Sequence, residues 1–155
     1  MRNLEELGIW HSREPLPPPT SEQIEFVESL IGAKLPESYV AFLRFSNGGR
    51  PEARIFYDRT EGSREEWEVD RIFHLGSDTN STENVIWNYQ HRWAGAPREV
   101  LPIAEDGSGN LICLDLTDQG NGRVIVWVHD DPDLPIVEVS NSFEEFIDSL
   151  ALPPD

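Results

Sequence analysis

Two spacings of apolar residues alternate along this chain, one near every third or fourth position and one at every second. After Thr20, the residues Ile24, Val27, Leu30 and Ile31 fall at helical spacing, and Thr20 with Gln23 forms a capping box for the first turn. Gly32 marks the end of that helix. A second helix opens at Leu35-Pro36, with proline at a first helical position. It carries Tyr39, Phe42 and Leu43 on one stripe and stops at Asn47-Gly48-Gly49. Strands are predicted over 55–57 and 69–75, with the polar stretch 58–68 turning the chain between them. Residues 80–83 read as a helix start, and Val85, Ile86, Tyr89 and Trp93 give that helix an apolar stripe before Gly95 and Pro97 end it.

The last third reads as a meander. Strands are predicted over 100–104, 111–116, 123–129 and 136–139, with turns at 106–110 and 119–122 short enough to make neighbours antiparallel. In 123–129 both faces are apolar, which suits a central strand covered on both sides. Ser142 with Glu145 forms a second capping box, opening a helix that turns Phe143, Phe146, Ile147 and Leu150 to the sheet. The expected class is α+β: a twisted antiparallel sheet flanked by an N-terminal helix pair, a middle helix and a C-terminal helix. Glu14-Pro15-Leu16-Pro17-Pro18-Pro19 should be extended, so residues 1–19 are expected as an arm ahead of a single domain over 20–152. The proline run is either a lead-in to the first helix or a ligand for an aromatic groove.

Charge changes the picture. Against 12 Lys+Arg stand 29 Asp+Glu, a net of −17 in 155 residues. The 38% hydrophobic content still predicts a folded core. Such a surface repels phosphate backbones and anionic headgroups, so direct nucleic-acid or membrane binding is not expected. The longest apolar run, 124–128, is five residues where a bilayer span takes about 20, and Glu5 and Glu6 stand where a secretory leader would be apolar. With a single cysteine, Cys113, these features place the chain in the cytoplasm. Residues 101–155 hold twelve acids and one base, Arg123. That asymmetry either steers a basic partner or keeps the protein soluble.

Candidate chemistry is thin. Gly107-Ser108-Gly109 lies between strands, where a nucleophile elbow needs a strand-to-helix turn. The lone lysine, Lys34, follows no phosphate-loop glycine. His11, His74, His91 and His129 share no metal-binding spacing, and the oxygen-rich stretch 129–133 lacks the pattern of a calcium loop. Glu105 and Asp106 are adjacent in a strand and should diverge, so they make a poor acid/base pair. No catalytic residue, metal or cofactor is assigned. Trp67, set among Glu65, Glu66 and Glu68, either anchors an interface or folds back onto the core.

The order of these pieces resembles the SUKH superfamily, which includes bacterial immunity proteins and the fungal cell-wall assembly regulator. The matching segments are Leu35-Pro36-Glu37-Ser38-Tyr39 through Phe42-Leu43 to Asn47-Gly48-Gly49, then the stretch from Leu101-Pro102 to Asn110-Leu111, Val124 to Trp127 before His129-Asp130, and Ser142 to Phe146. The resemblance implies an α+β domain that does no catalysis, in a bacterial cytoplasmic immunity protein. Its partner would be a cognate toxin domain, basic if it cleaves or edits nucleic acid, neutralised by direct contact. The alternative it leaves open is a general protein or peptide interaction module without a toxin. The family brings no shared site residues. Charge clustering alone nominates Asp130, Asp131 and Asp133 with Glu65, Glu66, Trp67 and Glu68 as the partner-binding ridge, against a merely solvated surface. Residues 11–19 and 58–68 match no family segment.

Overall fold

The computed structural model describes residues 1–59 and 64–155. Along the chain come α1 (Ser21–Ile31), α2 (Glu37–Phe45), β1 (Ile55–Tyr57), β2 (Glu66–Glu68), β3 (Arg71–Ile72) and α3 (Val85–Gln90). They are followed by β4 (Val100–Glu105), β5 (Leu111–Asp115), β6 (Arg123–Trp127), β7 (Ile136–Ser140) and α4 (Phe143–Ser149). β3 to β7 form one antiparallel sheet in sequence order, and β1 and β2 form a separate antiparallel pair. The protein is therefore α+β, with helices gathered against one sheet. The sequence order follows from short turns. Between β5 and β6, Asn121 and Gly122 both take positive φ, the backbone a tight hairpin needs.

One face of the large sheet carries the core. Ile112, Leu114, Val124 and Val126 are fully buried there, in one cluster with Ile24, Val27 and Ile31 of α1, Tyr39, Phe42 and Leu43 of α2, and Phe143, Phe146 and Ile147 of α4. Phe143 meets Tyr39 and Phe42 edge-on at 5.2 and 5.9 Å, and Phe146 meets Phe56 of β1 at 5.2 Å. Such tilted contacts add to the area the rings bury. The N-terminus joins this block. Leu7 is fully buried, the Met1 ammonium bonds Glu144 at 2.6 Å, and Arg2 donates to the Leu150 carbonyl at 2.6 Å. Beyond β3, backbone pairs Gly49–Ile72 and Trp10–Arg50 extend the sheet edge. Gly48 is obligatory at this crossing: φ is +87° and a Cβ would stand 2.9 Å from the Ile72 carbonyl oxygen.

Both predicted caps at the first helix form. Thr20 accepts from Gln23 N, the Gln23 side chain accepts from Thr20 N, and Gly32 closes the helix at φ +73°. Ser142 accepts from Glu145 N at 3.1 Å, while the Glu145 carboxylate pairs with Arg59. Pro36 stands one position earlier than expected, as N-cap of α2. The predicted strand over 69–75 contributes only Arg71–Ile72 to the sheet, and Glu66–Glu68, expected in a turn, pairs with β1. The middle helix begins at Val85, capped by Asn84 through a 2.7 Å bond from Ile86 N. It ends at Gln90, since the Arg92 guanidinium bonds the Tyr89 and Val100 carbonyls, and Trp93 leaves the predicted stripe. Residues 60–63 of the charged stretch lie outside the described residues.

Two substitutions probe the aromatic block in opposite directions. Phe143→Ala should lower the free energy of unfolding by about 3–5 kcal/mol, the cost of a large cavity. The Tyr39 hydroxyl is buried with no hydrogen-bond partner among the described residues. Tyr39→Phe should then leave stability unchanged or raise it by up to about 1 kcal/mol. Urea unfolding followed by tryptophan fluorescence reads both, and a clear loss in Tyr39→Phe would show that the hydroxyl is satisfied.

Candidate functional site

The acids nominated from the sequence fall into two groups that share no hydrogen bond or ion pair among the described residues. The first is the β1–β2 hairpin. Its register sets Phe56 opposite Trp67 and Tyr57 opposite Glu66, so alternation turns Phe56 and Trp67 inward and the acids outward. Trp67 is half-buried against the main core, and its Nε1–H donates to Oδ2 of the buried Asp58 at 3.0 Å. The tryptophan thus folds back. Of the outward acids, Glu66 accepts from the Tyr57 hydroxyl at 3.2 Å and Glu68 pairs with Arg54. Arg64 lies 5.6 Å from the Tyr57 ring, so two cations stand among the hairpin's acids.

The second group is the turn after β6. A bond of 2.7 Å from Val128 N to the Pro135 carbonyl closes it at the base. Oδ1 of Asp131 accepts from Asp133 N and Leu134 N at 3.1 and 3.0 Å, so this carboxylate shapes the turn. Asp130 and Asp133 are exposed beside it. Asn110 fastens this turn to the β4–β5 turn, since its Oδ1 accepts from His129 N at 3.1 Å. Asp106 accepts from Ser108 N, Asn110 N and Asn110 Nδ2, whereas Glu105 faces Arg71 at 3.5 Å, so the adjacent acids diverge. Next to the turn, Trp127 stacks on Trp93 at 4.9 Å and 8°. This pair was not legible in the sequence, where Trp93 sits at helical spacing from Tyr89 and Ile86.

A third feature, absent from the sequence reading, is a cleft of about 220 Å³ where residues 10–16 cross the β3 edge. Arg50, Arg71 and His74 line it. Arg50 bonds Asp70 at 2.8 Å, and Arg71 bridges Glu83 and Glu105 at 3.1 and 3.5 Å, so both guanidinium groups are already matched. Nδ1 of His74 is buried with no hydrogen-bond partner among the described residues. Burial lowers the His74 pKa from its ordinary 6.5 against the pull of Glu83 and Asp78, and burial raises that of Glu105 against the pull of Arg71. The cleft therefore disfavours the imidazolium form of His74. Cys113 lies elsewhere, fully buried mid-strand, where burial pushes its thiol up and leaves it unreactive. Among the described residues, no group of three His, Cys, Asp or Glu side chains is placed to hold a metal ion, and no helix is long and apolar enough to cross a membrane.

The lowered His74 pKa has a signed consequence. The folded state takes up this proton less readily than the unfolded chain, so His74 costs stability as pH falls through about 6.5. The loss is complete once pH is below the folded value. A His74→Gln variant should lack this component, and its urea midpoint should gain on the wild type between neutral and mildly acid pH. Parallel pH profiles for the two proteins would show that His74 titrates normally.

The sequence model of the SMI1 / KNR4 family (SUKH-1) matches residues 18–149, from ahead of the first capping box to the end of α4. The SPbeta prophage-derived uncharacterized protein YokK of Bacillus subtilis (strain 168) is 32% identical over 152 residues, covering 87% of this chain and 76% of the relative. The four helices, the five-stranded meander and the matched span agree, and the chain belongs to the SMI1 / KNR4 family (SUKH-1).

Proposed function

We propose that this chain is an immunity protein that binds a cognate toxin domain of nuclease or deaminase type and neutralises it by direct contact, without catalysis of its own. The observation that carries the proposal is the charge of −17 on a member of this family. A toxin that acts on nucleic acid needs a cationic groove for phosphates, and an acidic protein can occupy that groove in their place. On this reading Glu65, Glu66, Trp67 and Glu68 on the hairpin, with Asp130, Asp131 and Asp133 in the β6–β7 turn, supply the contact. Trp67 serves it by fixing the hairpin through Asp58. The prophage-derived relative fits a mobile locus in which a toxin and its neutraliser travel together.

The test is coexpression with the product of the neighbouring gene. That product alone should arrest growth, and coexpression of this chain should restore it. The purified pair should associate one-to-one, with an association rate that falls on the order of tenfold or more from low to high ionic strength. A neighbour that is harmless, or binding to a housekeeping regulator with little salt dependence, would favour the general interaction module instead.

A further inference from the structure

The large sheet has a second face, and its cover is thin. Val100, Cys113 and Ile125 are buried there in a small separate cluster, with Trp93 and Leu111 packed against it. Two residues further along β6 the register places Leu111, Trp127 and Ile136 side by side across β5, β6 and β7. Cross-strand partners share a face, so these three form an apolar row at one end of the sheet, with Trp93 stacked on its middle member. Leu111, Trp93 and Trp127 are half-buried, Ile136 is 38% exposed, and Leu134, two residues ahead of it, is 74% exposed.

The rim of this row is acidic. Asp130, Asp131 and Asp133 stand in the turn joining Trp127 to Ile136, and Glu138 lies two residues beyond Ile136. The base on these strands is Arg123, whose guanidinium is held by Asp115 at 2.9 Å and by Glu138. A flat aromatic centre within a negative rim is what a cationic protein surface fits. Tryptophan and its apolar neighbours exclude water and carry binding energy, while the rim speeds encounter and fixes register. Other occupants fit poorly: nucleic acid would bring phosphates to the aspartates, and a two-fold pairing of copies would bring the acidic rim toward itself.

We propose that the Trp93–Trp127 stack with Leu111, Ile136 and Leu134 is the centre of the partner interface, and that it receives an apolar segment flanked by Arg or Lys on a basic protein. This rests on the reading of the chain as a toxin-binding protein and adds where the toxin sits. The hairpin acids Glu65, Glu66 and Glu68 then lie outside the centre.

The experiment uses the full chain and the purified product of the neighbouring gene, with affinity and rates read by surface plasmon resonance. Ile136→Lys should raise Kd by about 30-fold or more, mainly through faster dissociation. Asp130→Lys with Asp133→Lys should slow association on the order of tenfold at low salt. Phe26→Lys, at an exposed position of α1, should leave both rates unchanged. Circular dichroism checks that each variant is folded. Because Trp127→Ala risks the fold, hydrogen exchange on the wild-type complex provides a second measurement: amides over 127–137 should gain protection. Full-affinity binding by Ile136→Lys and by the aspartate variant, without protection there, would overturn this surface and leave the toxin-binding reading standing. Dimerisation of the free chain that Ile136→Lys abolishes would give the face to a second copy and overturn it too. No binding between wild type and the neighbour's product would overturn the reading and the surface together.

Discussion

Phe143 and Phe146 lie where the separate parts of the chain meet. α4 is only seven residues long, too short to be stable alone, and it persists because these rings leave water against Tyr39 and Phe42 of α2 and against Phe56 of β1. The same helix receives the N-terminus, through Met1 on Glu144 and Arg2 on the Ile147 and Leu150 carbonyls. It holds the far end of the hairpin as well, since Arg59 reaches both Asn141 and Glu145. Segments 86 to 148 residues distant along the chain are thereby fixed to one short helix. That is why α2, the hairpin and residues 1–7 lie on the same face of the sheet as α4.

Gathering the helices on one side decides what the other side can be. A five-stranded sheet with a single helical layer must leave its second face to loops or to solvent. Here the closing segment is 91–97, tied down by Arg92 over the Tyr89 ring at 3.8 Å and by its bond to the Val100 carbonyl. That segment brings Trp93 over Trp127 and seals Val100, Cys113 and Ile125, which are 0–2% exposed. The seal stops short of Ile136. The transition from buried to exposed apolar surface therefore falls at the end of the sheet where the acidic turn projects.

What was legible in the sequence is what local chemistry fixes. The capping residues Thr20, Gln23 and Ser142 act over one turn, and the meander follows from short Gly- and Asn-rich turns, so both are readable without tertiary knowledge. β2 was missed because Glu66-Trp67-Glu68 carries two acids per apolar residue, and its pairing depends on β1, which begins eleven residues earlier. The start of α3 was misplaced because Asn80, Ser81 and Asn84 are all competent caps, and only burial of Asn84 selects among them. Trp93 fitted a helical stripe equally well until Arg92 turned the chain away. Of the nominated acids, spacing could not show that the hairpin and the β6–β7 turn are separate groups, because the relation between them is set by the sheet.

The distribution of bases gives the excess acid its meaning. Lys34, Arg50, Arg54, Arg59, Arg71 and Arg123 each hold at least one carboxylate, and Arg71 and Arg123 hold two. These pairs join elements: Asp115, Arg123 and Glu138 link three adjacent strands, while Arg71 links β3 to β4 and to the segment before α3. In these pairs the charge that serves the fold is matched, while Arg2 and Arg92 serve it on backbone carbonyls. Asp131 serves the fold differently, by accepting backbone amides, and needs no base to do so. Asp130 and Asp133 have no ion pair among the described residues, and mutual repulsion in an acidic chain makes them a modest cost to the folded state. Their physical effect is directed outward, on the potential that an approaching molecule meets beside the tryptophan stack. Charge that the fold does not use, placed next to apolar surface that the fold does not cover, is the combination expected of a surface shaped by what binds it.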